Sequence, residues 1–243
     1  MSPSLAAPGN ASHFGVRSAF LWGAGVTLAI GLFAQISEPS AAGTLITLTF
    51  FAAVWFAVWR YDDNVLRMHG LTLGGLMGGG GDVIRSWSRA LAWSLGTSAV
   101  VLLPFALLWR PVMVGILHAP LHDFAAHKTA VAWASLAATH LLVVALPEEA
   151  FYRGVLQTRF ETRFPGGLPL LGANVSLGNV MTSAIFALGH LATLRHPQHL
   201  LVFFPSLLFG WLRTRTKGIE AGLLFHAFCN LLSNALEDGY LAR

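Results

Sequence analysis

The chain has 243 residues, of which 55% are hydrophobic and only 11% charged, with 15 Lys and Arg against 11 Asp and Glu. Soluble domains carry roughly a quarter charged residues, so this balance excludes one. Intrinsic disorder is excluded too, because 8 Trp and 17 Phe bring too much apolar surface to stay solvated. The remaining solvent is lipid.

A bilayer core about 30 Å thick is crossed by about 20 apolar residues in a helix. Such stretches run over residues 19–36, 43–59, 90–109, 129–147, 177–194, 199–212 and 218–236. The sequence therefore predicts an all-α polytopic integral membrane protein with seven transmembrane helices, an eighth not being excluded. The first stretch reads as an uncleaved signal anchor, since a polytopic body follows it. With the N-terminus inside, eleven basic residues (Arg17, Arg60, Arg67, Arg85, Arg89, Arg153, Arg159, Arg163, Arg213, Arg215 and Lys217) fall on the inner side. Arg110, Lys128, Arg195 and Arg243 fall outside, the asymmetry expected of a seven-span chain with its C-terminus out.

The pI near 9.8 does not point to nucleic acid, because the basic residues sit in short runs between apolar stretches and form no stripe. The glycine-rich run 74–81 lacks the Gly-Lys-Ser/Thr ending of a phosphate loop, so it predicts a connection and no nucleotide site. The single cysteine, Cys229, excludes an intramolecular disulfide and any multi-cysteine zinc site. Arg outnumbers Lys by 13 to 2, and with abundant Ala and Gly this suggests a GC-rich bacterial source. The expected location is then a bacterial inner (plasma) membrane.

Ionisable side chains inside membrane spans are costly and mark function by default. Here they are His140, Glu148, Glu149, Arg153, His190 and His226, with Asn230 and Asn234 as polar companions. Adjacent helix residues point about 100° apart, so Glu148 and Glu149 cannot do the same job. Glu149 and Arg153 stand i,i+4 with the acid first, the favourable order for an ion pair. Glu148 is left with Tyr152 as its i,i+4 neighbour and is the carboxylate free to take a proton. Phe186 and His190 share one helix face, as do His226 and Asn230. A base, a partner for it and hydrogen-bond donors form the inventory for attack of water on a carbonyl.

The motifs Glu148-Glu149-Ala-Phe-Tyr-Arg153, Phe186-Ala-Leu-Gly-His190 and His226-Ala-Phe-Cys-Asn230 lie in that order on three separate spans. Together they resemble the three-part signature of the CAAX protease and bacteriocin-processing (CPBP) family of glutamic intramembrane proteases. The resemblance covers about 129–236. It implies one membrane domain over 1–243, with variable N-terminal spans in 1–128 and catalytic core helices in 129–236. By resemblance, Glu148 with His190 would activate the water, His226 and Asn230 would bind the oxyanion, and Glu149 and Arg153 would order the site. No metal and no cofactor are implied. The partners implied are the bilayer and a membrane-associated protein substrate, cut near its C-terminus as a prenylated CAAX tail or a sorting tail. Residues 146–157 are similar to the bacterial members paired with sorting tails, the myxosortases.

For the site to form, Glu148 must lie at the depth of His190, although it stands at the inner end of the stretch 129–147. A long helix from about 131 to 160, bent near Pro147, would place it there. Rival chemistries are a zinc or iron site on Glu148, Glu149, His190 and His226, a hydrolase using Cys229 with His226, and a proton-coupled transporter. Ligand spacing such as His-Glu-x-x-His is missing for the first. No inverted repeat supports the third. A non-enzymatic immunity or binding protein that keeps the same pocket is the remaining alternative. His118, His122, Asp123 and His127 read as an exposed loop, and His140 as a residue that either lines the cavity or packs.

Overall fold

The computed structural model describes residues 15–36, 38–78, 81–125 and 128–240. His127, Arg243, Gly79 and Gly80 lie outside them. The architecture is helical, in agreement with the all-α expectation, with one short hairpin that the hydropathy pattern gives no sign of. The helices are α1 (Val16–Ile36), α2 (Pro39–Val54, prolonged by a wide turn Trp55–Trp59), α3 (Asp63–Met68), α4 (Val83–Gly115) and α5 (Ala130–Arg163). After the hairpin of β1 (Leu168–Leu170) and β2 (Ala173–Val175) come α6 (Leu177–Leu194), α7 (Phe203–Thr216) and α8 (Glu220–Tyr240).

Among the described residues, α1, α2, α4, α5 and α6 are long and apolar enough to cross a membrane. The two remaining predicted stretches are also helices. At 14 residues α7 is about 21 Å long and shorter than a bilayer core. With 21 residues α8 is long enough, but it carries Glu220, His226, Asn230, Asn234, Glu237 and Asp238.

Side chains start the helices where the sequence supplies caps. The Asp62 carboxylate accepts from the Asn64 and Val65 amides, Asp82 from Arg85, the Thr129 hydroxyl from Ala132, and Ser176 from Asn179. Within the bundle, where lipid offers no hydrophobic push between helices, small residues and interhelical hydrogen bonds hold the packing. Ser94 of α4 donates to the Ala221 carbonyl of α8 at 2.7 Å. The Asn179 amide of α6 donates to the Leu207 carbonyl of α7 at 2.9 Å. The Gln157 amide of α5 donates to the Gly210 carbonyl of α7 at 3.1 Å.

The long helix required by the motifs is present as α5, continuous from Ala130 to Arg163. Pro147 lacks the N–H that would bond to the carbonyl of Val143, four residues back. In place of that N–H, the hydroxyl of Thr47 in α2 donates to the Val143 carbonyl at 3.1 Å. Two wide, π-type segments, His140–Ala145 and Ala150–Gln157, flank the proline and absorb the misfit.

Charge sorts to two ends. At one end Arg159 donates to the Ser18 hydroxyl, Arg213 pairs with Glu161 at 3.1 Å, and Arg89 donates to the Arg215 carbonyl. At the other, Lys128 pairs with Asp238, Arg110 stands 3.6 Å from Asp123, and Trp109 stacks on Tyr240. Arg153 is an exception to the sequence-based partition. It is fully buried halfway along the bundle, paired with Glu149, and so is not a charge on the inner surface.

Candidate active site

The site forms where the middle of α5 meets α6, α7 and α8. Depth is set by a polar tie at the basic end, where the Ser176 hydroxyl donates to Glu161 at 2.7 Å. From that tie both chains climb about 20 Å, along α5 back to Glu148 and along α6 up to His190. Glu148 and His190 therefore line one cavity of about 420 Å³.

The two adjacent carboxylates have opposite surroundings. Glu149 is 0% exposed, and its Oε2 lies 3.4 Å from Arg153 Nε. Its other oxygen, Oε1, stands 3.0 Å from His226 Nδ1. Arg153 is anchored in turn, donating to the carbonyl and the hydroxyl of Ser206 at 3.0 and 2.8 Å. Its guanidinium stacks over the rings of Phe186 and Phe209 at 5.0 and 5.2 Å. Glu148, by contrast, keeps 14% of its side chain exposed, on the cavity wall.

His226 is held on every side. Its ring stacks on Phe209 at 4.6 Å and meets the edge of Phe186 at 5.8 Å. A carboxylate paired with a guanidinium only accepts hydrogen bonds, so the Nδ1 facing Glu149 carries the hydrogen. The opposite nitrogen, Nε2, looks toward Glu148 Oε2 at 3.8 Å, too far for a hydrogen bond. The α8 backbone reaches this close because of Gly222: a Cβ there would come within 3.0 Å of the Phe209 carbonyl and 3.2 Å of Glu149 Oε2.

His190 Nδ1 lies 3.1 Å from the Phe186 carbonyl of its own helix, a bond in which Nδ1 donates. That fixes the tautomer and leaves Nε2 as the acceptor. Asn230 stands one turn beyond His226 on α8, and its backbone carbonyl accepts from the Asn234 side-chain amide at 3.0 Å. The same amide lies 3.1 Å from His140 Nε2, so His140 ties α5 to α8 beside the site. Cys229 packs against the apolar core. The backbone N–H of His122 donates to the Tyr240 carbonyl at the far end. Among the described residues, no three His, Cys, Asp or Glu side chains group so as to hold a metal ion.

The motifs did not indicate that the N-terminal spans wall this cavity. Ile30 and Ala34 of α1 and Pro39, Ala42, Gly43, Ile46 and Phe50 of α2 line it opposite Glu148 and His190. Their only sequence signal is hydrophobicity, which lipid-facing residues share.

A largely apolar cavity that carries a carboxylate and an imidazole thus lies inside a helical bundle of the membrane class. Residues 130–232 match the family described as "Type II CAAX prenyl endopeptidase Rce1-like", the same stretch that carries the three motifs. It is a family of proteases working in the membrane on protein substrates, and the chain is an integral membrane protein. No curated protein and no solved structure matches the chain.

Proposed function

We propose that the chain is a metal-independent glutamic intramembrane endopeptidase. Its substrate is a membrane-associated protein, cut near its C-terminal or membrane-proximal segment, of the prenylated CAAX or sorting-tail type. The observation that carries this reading is the division of labour between neighbours: Glu149 is sealed and paired, while Glu148 faces the cavity with His190.

A water between Glu148 and His190 donates one hydrogen to the carboxylate and the other to His190 Nε2. As its oxygen attacks the scissile carbonyl carbon, Glu148 takes the proton and the carbonyl π pair moves onto oxygen. Asn230 and His226 face the resulting oxyanion. His226 can donate from Nε2 only while its ring carries both protons, because Nδ1 is given to Glu149. Collapse of the tetrahedral intermediate breaks the C–N bond, and the proton held by Glu148 passes to the leaving amine. Arg153 holds Glu149 and thereby the orientation of His226.

The test compares C-terminal peptides of the membrane proteome from cells making the wild-type chain and Glu148→Gln. The expected result is a set of shortened C-termini that vanishes in the variant. Identical profiles would leave the chain as a binding or immunity protein. Turnover is also expected to survive phenanthroline and thiol alkylation, since both Glu149 oxygens are already engaged and Cys229 packs as core. Loss with chelator and restoration by zinc would move the assignment to a metalloprotease.

A further inference from the structure

Peptide hydrolysis needs donors aimed at the developing oxyanion, and one of the two expected ones is constrained. His226 has Nδ1 committed to Glu149 and offers Nε2 only in its doubly protonated form. A neutral donor on the cavity wall would not carry that condition. Glu148, His190, Tyr152 and Thr193 are the cavity's polar side chains among the described residues; Thr193 turns its hydroxyl to the Gly189 and His190 carbonyls of its own helix, which leaves the phenolic O–H of Tyr152 as the neutral donor.

The position of that hydroxyl is fixed from two sides. Tyr152 is 1% exposed as a whole residue, and its ring is wedged among Phe50, Phe151 and Phe186, with ring centres 5.5, 5.1 and 5.0 Å away. Its oxygen presses against α6 at Gly189, the residue before His190, where a Cβ would come within 2.7 Å of it. Gly189 therefore leaves room for the hydroxyl beside the two groups that face the water. A tyrosine buried to this degree ordinarily gives its O–H a partner, and a substrate carbonyl entering the cavity would supply one.

We propose that Tyr152 is a further catalytic residue, whose O–H donates a hydrogen bond to the scissile carbonyl oxygen and holds it as it becomes an oxyanion. No proton is transferred; the bond shortens as charge develops. The assignment rests on the protease reading above. It also gives Gly189 a role, as the residue whose missing side chain admits the hydroxyl.

The test uses the full chain in membranes, with a synthetic peptide spanning a bond whose cleavage the Glu148→Gln comparison has identified. Tyr152→Phe keeps the ring and its packing, so the thermal midpoint should stay within a few degrees of wild type. Its kcat should fall about a hundredfold with KM little changed, the signature of a lost oxyanion donor. Gly189→Ala should lower kcat comparably by displacing the hydroxyl, yet cost almost nothing further when added to Tyr152→Phe. A kcat for Tyr152→Phe within twofold of wild type, or a change in KM alone, overturns the assignment while leaving the protease reading intact. Absence of any Glu148-dependent cleavage overturns both. Should Tyr152→Phe fail to accumulate, full activity in Gly189→Ala would also reject the role.

Discussion

Glu148 and Glu149 are chemically identical neighbours, and what separates them is access. A carboxylate acting on water must meet water, and only Glu148 reaches the cavity. Glu148→Gln removes the proton acceptor and leaves Arg153 its carboxylate, so purified protein should fold normally and lose activity a hundredfold or more. Glu149→Gln should instead lower the yield of folded protein, because Arg153 is left buried without its carboxylate. An active Glu148→Gln beside a folded but dead Glu149→Gln would mean that the base is the inner carboxylate.

A second residue, outside the spans, ties stability to pH. Burial lowers His69 from 6.5 to about 4, with Arg159 and Arg213 adding to the effect and the Val65 carbonyl opposing it. The folded state thus keeps His69 neutral where the unfolded chain already binds a proton. Stability is complete above about 6.5 and declines as pH falls toward 4, below which both states are protonated and the loss levels off. His69→Gln should flatten that part of a melting-temperature profile; an unchanged slope would assign the decline to other groups.

At the scale of elements, α5 is organised around one proline and one buried pair. Thr47 of α2 supplies the donor that Pro147 withholds, so the bend is satisfied across helices. The Glu149–Arg153 pair lies inside the bundle, where removing one partner costs about 3–5 kcal/mol while replacing both by apolar groups can be neutral. Arg153→Met should therefore accumulate poorly. Glu149→Leu with Arg153→Met should recover folded protein, measured as monodisperse material in detergent, yet stay inactive because His226 has lost its anchor. A double variant as poorly folded as the single one would show that the Ser206 and aromatic contacts of Arg153 matter more than its charge.

At the scale of the molecule, Arg89, Arg159 and Arg213 gather at one end, beside Ser18, while Arg110 and Lys128 mark the other. Reporter fusions after Arg89 and Lys217 should read cytoplasmic and a fusion after Lys128 external. An external signal at Lys217 would refute this orientation. The cavity between α1, α2, α5 and α6 runs from Glu148 to Pro39 at the start of α2 and Leu194 at the end of α6, and so extends toward the end of the bundle opposite the basic cluster.

Sequence alone determined the helical membrane class, because apolar runs of bilayer length have no other stable solution in lipid, where backbone groups must bond within the helix. It also singled out the three motifs, because charged and imidazole side chains are conspicuous where everything around them is apolar. The Glu149–Arg153 pair was legible for the same local reason, being a matter of helical spacing. The motifs already required α5 to run past Pro147; tertiary structure alone decided what satisfies the bend, since the compensating Thr47 lies about a hundred residues away in sequence. It likewise brought His226 against Glu149 and enlisted α1 and α2 as cavity walls. Hydropathy states that a residue avoids water, whereas the choice between lipid and a neighbouring helix is made only when the helices pack.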